Sequence, residues 1–123
     1  MSFDPGLFAL AEEALEPLGV VTMRKMMGGA MLYCDGLVFA LLYGDAIWLK
    51  ADSESDARWD AQGCEKFTIS FKDGKVDVMN YRRAPDDVYD DPDALCDWAR
   101  LALEASARSA AKKPSRRASS DPS

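Results

Sequence analysis

The stretch from Thr22 to Gly29 sets two adjacent cations and a double glycine into an otherwise apolar strand, and its residue types suit ligand chemistry. Backbone amides around Gly28 and Gly29, with the side chains of Arg24 and Lys25, are the groups that would hold an anion. The stretch matches neither the dinucleotide-binding fingerprint nor the P-loop, which need further glycines or a Gly-Lys-Ser/Thr ending. Two alternatives stay open: an anion or small-ligand contact, and a bulge or tight turn without a ligand.

A second candidate is the run Tyr81, Arg82 and Arg83, because an aromatic ring beside cations suits contact with a nucleic acid. A basic tail would add to it, since residues 108–123 have five basic side chains and one acidic one. Residues 1–107, however, hold 10 basic and 20 acidic side chains, and such a body repels phosphate backbones. Nucleic-acid binding is therefore disfavoured, and the alternative is a solvated tail with an ion pair at the strand end.

Five aspartates within eight residues raise the hypothesis of a divalent-cation site. Their spacing is not that of a calcium loop, which has a central glycine and a terminal glutamate. Carboxylates placed just before a helix cap its first amides and interact favourably with its dipole. We therefore predict a capping role and no metal site for Asp86, Asp87, Asp90, Asp91 and Asp93.

The chain contains no histidine, which removes Ser-His-Asp and Cys-His arrangements and histidine-ligated zinc. Its three cysteines, Cys34, Cys64 and Cys96, are odd in number and have no basic group beside them in the sequence. They are predicted to be buried, reduced thiols rather than disulfides or nucleophiles. We expect no catalytic residue, no cofactor and no enzymatic activity.

Helix and strand signals follow one another along the chain in a clear order. Asp4-Pro5 and Asp91-Pro92 combine a capping residue with the residue favoured at the first helical position. Asp35-Gly36 between apolar runs is a strong hairpin signal. The predicted helices cover residues 4–19, 53–63 and 91–110. The predicted strands cover residues 21–27 and 30–33, as one bent strand or two, then 37–43, 46–50, 67–71 and 76–81.

This order predicts an α+β fold in which helices cover one face of an antiparallel sheet. We expect one domain over residues 1–110 and a disordered basic tail over residues 111–123, which has no apolar residue larger than alanine. No apolar stretch approaches the length of a membrane span, and the N-terminus has no signal-peptide pattern. A soluble cytoplasmic protein that does not contact membranes is therefore expected.

The strand predicted over residues 37–43 is apolar on both faces, and strict alternation places Phe39 and Leu42 on opposite sides. Helices in a chain of 123 residues cover one face of a five-stranded sheet but hardly both. An exposed apolar patch of this kind more often marks an interface than a surface without function. We therefore predict a homodimer or a regulatory protein partner, with cover by helix edges or loops as the alternative. The predicted interface residues are Met31, Val38, Phe39, Leu42 and Trp48.

The segment from Val21 to Gly29, Val-Thr-Met-Arg-Lys-Met-Met-Gly-Gly, resembles the N-terminal domain of the TfoX/Sxy competence regulators. The resemblance covers roughly residues 4–108. It continues through Leu32-Tyr33, Asp35-Gly36, Phe39-Ala40, Leu49-Lys50, Gly63, Phe67, Met79-Asn80-Tyr81, Pro85 and Leu95-Cys96-Asp97-Trp98-Ala99.

The resemblance implies a two-layer α-β3-α-β2-α sandwich with an antiparallel sheet, similar to secretion chaperones, and a tendency to dimerise. It also implies a role in regulating DNA uptake and competence genes through other regulators, with no established active site. Full-length competence regulators carry a second, C-terminal helical domain, whereas this sequence continues into its charged tail.

Overall fold

The structure, a computed structural model, describes residues 4–26, 28–70 and 72–111. Met27, Phe71 and nearly all of the predicted tail lie outside these ranges. The helices are α1 (Gly6–Leu15), α2 (Asp56–Ala61) and α3 (Pro92–Ala111), with a 3-10 helix at Asp86–Asp90. The strands are β1 (Val21–Met26), β2 (Gly29–Cys34), β3 (Leu37–Tyr43), β4 (Ala46–Lys50), β5 (Lys66–Ser70) and β6 (Val76–Arg83).

The six strands form one antiparallel sheet in the order β1-β2-β3-β4-β6-β5. The predicted α+β class and antiparallel sheet are thereby confirmed. Residues 21–34 form two strands, with Met26 opposite Gly29 and a turn through Gly28, whose φ is +81°. The first group therefore has four strands, where the resemblance implied three.

Asp4 and Asp91 cap helices as predicted, whereas Asp86, Asp87 and Asp90 lie within the 3-10 helix and do not cap it through a side chain. The Asp4 carboxylate accepts a hydrogen bond from the Gly6 amide at 2.9 Å. The Asp91 carboxylate accepts hydrogen bonds from the amides of Asp93 at 3.1 Å and Ala94 at 3.3 Å. Within the described residues, no group of three or more acidic or cysteine side chains is arranged to hold a metal ion.

Helices α1 and α3 pack against one face of the sheet, and the main core lies between the two layers. Trp59 of α2 is fully buried there, and its ring lies 4.7 Å from that of Trp98, measured between centroids. All three cysteines are buried and unpaired, which confirms the thiol prediction. Of the helices in the described ranges, none has the length and hydropathy that crossing a bilayer requires.

A β-bulge in β3 places Phe39 on the face opposite to Leu41, whereas strict alternation predicted that the two side chains share a face. Leu32 pairs with Ala40, but the next residue, Tyr33, pairs with Val38, so Phe39 is the extra residue. Such a residue departs from strict alternation. Phe39 is 1% exposed and joins the helix-side core, whereas Leu41 lies in a second cluster on the other face.

The other sheet face carries this second cluster, which its own chain covers to a large degree. We call this the open face because α1 and α3 do not pack on it. The Phe67 ring of β5 contacts Tyr43 of β3 at a centroid distance of 5.5 Å. In a flat sheet, strands three positions apart would be about 14 Å apart. The two rings therefore reach toward each other across the strands between them, and this face buries Leu41, Ala46, Trp48, Phe67 and Tyr81 to 8% exposure or less.

Arg108, near the end of α3, ties this helix to the connection between β4 and α2. Its guanidinium donates two hydrogen bonds to the Asp52 carboxylate, at 2.7 and 2.9 Å, and lies 3.4 Å from Glu54. The hydrogen bond from Arg108, with further hydrogen bonds from Ser55, holds the pKa of Asp52 well below its ordinary value of 3.8, against the opposing effect of burial.

We expect Asp52→Asn to lower the melting temperature at about pH 6 by roughly 4–8 °C, equivalent to about 1 kcal/mol. A folded-state pKa below the unfolded value stabilises the fold above the unfolded pKa, and this contribution is lost as the pH falls. The difference between the parent and the variant should therefore shrink below the ordinary value of 3.8. Melting curves from acid to neutral pH measure it. Glu54→Gln, at a carboxylate that is 61% exposed, is the control and should change little; a pH-independent difference would contradict the assignment.

Candidate functional site

Two cation–aromatic pairs lie side by side on the open face, where β4 meets β6. Trp48 is directly opposite Arg83, and Lys50 is directly opposite Tyr81. The Arg83 guanidinium carbon lies 5.7 Å from the centre of the Trp48 ring, and Lys50 Nζ lies 5.2 Å from that of Tyr81. Both distances are within the range of a cation–π attraction. Each ring thus holds a positive charge at the surface of the open face.

In the described residues, the Trp48–Arg83 pair has hydrogen-bond donors without an acceptor. The Trp48 indole N–H is buried and has no acceptor among the described residues. Arg83 makes no ion pair with a carboxylate in the described parts of the chain. Burial, reinforced by the nearby Tyr33, raises the pKa of Tyr81 to about 12, so its hydroxyl stays protonated. Arg83 is partly exposed, so its guanidinium is accessible to an acceptor on a ligand, whereas the buried indole N–H is not.

The strand register places a row of residues across the sheet on the open face, beginning at this site. Arg24 pairs with Met31, Met31 with Leu41, Leu41 with Trp48, and Trp48 with Arg83. An apolar floor is therefore bounded by a cation on each side. Met31 is only partly buried.

The predicted anion site at the double glycine has its two cations on different faces. Arg24 pairs with Met31 of the open face, whereas Lys25 pairs with Ala30 of the helix-side core. Both side chains are exposed, but they do not converge on one ligand. Gly29 has a structural reason to be glycine, because a Cβ there would clash with the carbonyl oxygen of Leu42.

The predicted nucleic-acid contacts also separate, because Arg82 and Arg83 point to opposite faces of β6. Arg82 is 3% exposed and donates hydrogen bonds to Asp60 at 2.7 Å, to the Cys64 carbonyl at 2.8 Å and to Asp56 at 3.1 Å. It joins β6 to α2 and is not available to a ligand. Tyr81 is 5% exposed, so its ring is not available for stacking with a base.

The five predicted interface residues divide between the two faces. Met31, Val38 and Trp48 face the open side, since Val38 pairs with Tyr33, two residues beyond Met31 in β2. Phe39 and Leu42 are 1% and 0% exposed and pack in the core beneath the helices. Their side chains are not at a surface in this fold.

The site contains one cation that sequence reasoning passed over, Lys50. Its signal was the period of two in Trp-Leu-Lys at residues 48–50 and in Tyr-Arg-Arg at residues 81–83. In each strand an aromatic residue and a cation two positions later share a face. The two strands must be adjacent and antiparallel before each cation meets the other strand's ring, and only the sheet order supplies this.

A small polar cavity of about 220 Å³ lies beside the start of β5, between Cys64, Glu65, Arg83 and Asp86. Burial raises the pKa of the Cys64 thiol, despite the opposing charge of Arg82. Burial likewise raises the pKa of Cys34. Neither thiol has the lowered pKa that activates a cysteine nucleophile.

Taken together, these features define an α+β domain with helices on one face of a six-stranded antiparallel sheet and cations over aromatic rings on the other. The chain belongs to the TfoX N-terminal domain family, whose profile matches residues 13–106. The resemblance found in the sequence is thereby confirmed.

One relative is the DNA transformation protein TfoX1 of Aliivibrio fischeri. This chain is 30% identical to it over 67 residues. The match covers 54% of this chain and 32% of the relative, so it spans about a third of the relative's length.

Proposed function

We propose that this domain is a non-enzymatic, protein-binding module that regulates DNA transformation. The observation that carries the proposal is the open face, where Lys50 and Arg83 lie over aromatic rings next to the partly buried Met31 and Met79. A surface of mixed apolar and arginine character is typical of protein interfaces. The name of the relative, DNA transformation protein TfoX1, supports the biological setting.

A binding role rather than catalysis is supported by the chemistry of the chain. The sequence has no histidine, and burial raises the pKa of the thiols of Cys34 and Cys64. The buried guanidinium of Arg82 is engaged by two aspartates and a carbonyl, so it serves the fold.

Deleting the gene in the organism of origin should change the transformation frequency about tenfold or more, because the module acts on a regulatory step. The parent chain should restore the frequency, and the Lys50→Glu/Arg83→Glu double variant should not, since it reverses the charge of the open face. Arg58→Glu/Arg100→Glu is the matched control, at two exposed cations on α2 and α3. A frequency that deletion leaves unaltered would refute the proposed role.

Self-association is a further proposal, and the hairpin of β5 and β6 favours it. Val76 and Val78 are 63% and 55% exposed, although both are large apolar residues. They lie beside β5, the last strand of the sheet, whose outer edge has no partner strand within the described chain. An unpaired edge next to exposed valines suits pairing with a second copy.

Size-exclusion chromatography with light scattering at low micromolar concentration should give the mass of a dimer. Val78→Lys should shift it toward the monomer, because it places a charge in the proposed contact. Thr22→Lys, at an exposed residue of the opposite edge strand β1, is the control and should leave the mass unchanged. A monomeric parent chain would exclude the dimer.

A further inference from the structure

We propose that the polar cavity beside the start of β5 binds a free basic amino acid, with its carboxylate at Arg83 and its two cationic groups at Glu65 and Asp86. The cavity has a volume of about 220 Å³ and is lined by two segments of the chain, residues 62–65 and 83–86. The proposal goes beyond the protein-binding function, because the occupant of this site is a small molecule.

Charged groups of both signs line the cavity without neutralising one another. Arg83, Glu65 and Asp86 all belong to its lining. Within the described residues, none of these three side chains forms an ion pair with a group of opposite charge. A ligand that carries charges of both signs would pair with all of them. An amino acid has this property, whereas a simple anion or a simple cation does not.

Hydrogen bonds fix the walls of the cavity before any ligand arrives. The Arg83 amide donates to the Glu65 carbonyl at 2.9 Å, which ties the two lining segments together. The Cys64 carbonyl accepts a hydrogen bond from the Arg82 guanidinium at 2.8 Å, and the Ala84 amide donates to a carbonyl of β4 at 2.9 Å. A ligand therefore meets a preformed site and does not have to order a loop.

The balance of charge selects an amino acid with a cationic side chain. Behind the cavity wall, the positive charge of Arg82 is already paired with Asp56 and Asp60. The lining itself then has one guanidinium and two carboxylates. The guanidinium of Arg83 presents a fork of donors that matches a carboxylate. A neutral amino acid would leave one carboxylate of the lining unpaired, whereas a basic one has the complementary set of charges.

The size and exposure of the cavity set the size of the ligand and the strength of binding. Pockets for drug-sized ligands are about 300–1,000 Å³, so this cavity suits a molecule no larger than an amino acid. Pro85, which is partly buried, offers an apolar surface to the aliphatic part of a lysine side chain. Glu65 and Asp86 are exposed, so water screens their contacts and we expect an affinity in the millimolar range.

The test is a titration of the 15N-labelled full chain with L-lysine, followed in amide correlation spectra. The amide signals of Cys64, Glu65 and Ala84 should shift saturably, with a dissociation constant of about 1 mM. Sodium chloride at the same ionic strength gives the baseline. Cadaverine, which lacks the carboxylate, and L-norleucine, which lacks the side-chain ammonium, should each bind about threefold or more weakly, because each loses one ion pair.

Variants of the lining separate direct contacts from effects on the fold. Arg83→Gln should weaken binding of L-lysine about threefold or more but should not weaken binding of cadaverine, which has no carboxylate to lose. Glu65→Gln/Asp86→Asn should weaken binding of both molecules. Asp87→Asn is the matched control, at an exposed carboxylate of the same 3-10 helix outside the lining, and should bind L-lysine as the parent does.

Three results would overturn the inference. The first is the absence of saturable shifts with L-lysine, and the second is equal binding of L-lysine by the parent and by Glu65→Gln/Asp86→Asn. The third uses lysine acetylated at its α-nitrogen and converted to the methylamide at its carboxyl group, which is the form of lysine within a protein chain. If this molecule binds as tightly as L-lysine, the cavity holds a basic side chain of a protein and not a free amino acid.

Discussion

Replacing Arg82 with alanine should destabilise the domain by about 3 kcal/mol, because it removes the centre of a buried hydrogen-bond network. Arg82 is 3% exposed and donates to two aspartates of α2 and to the Cys64 carbonyl. Without the guanidinium, that carbonyl loses its donor, α2 loses its tie to β6, and a cavity remains. The melting temperature should fall by roughly 15 °C. Thermal melting followed by circular dichroism measures the change.

Arg83→Ala is the matched control, since it changes the adjacent arginine on the opposite face. Arg83 is partly exposed, and its guanidinium lies over the Trp48 ring. Replacing it with alanine should therefore lower the free energy of unfolding by no more than about 1 kcal/mol. Arg82→Met keeps most of the side-chain volume and should cost less than Arg82→Ala, but it leaves the Cys64 carbonyl without its donor. Equal effects of Arg82→Ala and Arg83→Ala would contradict the opposite placement of the two arginines.

Gly29→Ala should destabilise the sheet by about 2 kcal/mol, because the added methyl group has no space against a neighbouring backbone. A Cβ at Gly29 would clash with the Leu42 carbonyl oxygen and would lie 3.2 Å from the Tyr43 ring. The backbone oxygen cannot move without disturbing the pairing of Ala30 with Leu42. Chemical denaturation gives the free energy of unfolding of the variant and the parent.

Gly44→Ala separates this steric effect from a backbone effect. Gly44 has a φ of +63°, and a Cβ there would meet no atom within 4 Å. Its replacement should cost about 1 kcal/mol through the left-handed conformation alone. At position 44, asparagine tolerates that conformation and should cost less than alanine. At position 29, where space is lacking, the larger asparagine should cost more than alanine. A Gly29→Ala protein as stable as the parent would show that the close approach does not restrain the sheet.

The order of elements followed from local patterns in the sequence. Asp91-Pro92 predicted the start of α3, which begins at Pro92 and ends at Ala111. The alternation after Phe67 and the turn before Val76 predicted the second hairpin, found as Lys66–Ser70 and Val76–Arg83. Such features were predictable because capping, turns and periodicity act between residues close in the sequence.

The predicted exposed patch depended on long-range geometry, and here the sequence was a weaker guide. The bulge at Phe39 moves that side chain into the helix-side core. The pairing of β4 with β6 and of β6 with β5 brings the Phe67 ring to within 5.0 Å of the Trp48 ring, measured between centroids. Neither the bulge nor the contact between Phe67 and Trp48 has a signal in the local sequence. A bulge is defined by pairing with the partner strand, and the approach of two distant strands depends on the whole sheet.

By itself, the sequence determined the α+β class, the positions of most helices and strands, the absence of histidine chemistry and the membership of the TfoX N-terminal domain family. Only the tertiary structure decided which cations reach the surface. It placed Arg82 in an ion pair with α2 and brought Lys50 and Arg83 together beside Trp48. The physical reason is that alternation separates neighbours within a strand to opposite faces, whereas the pairing of β4 with β6 joins residues more than thirty positions apart.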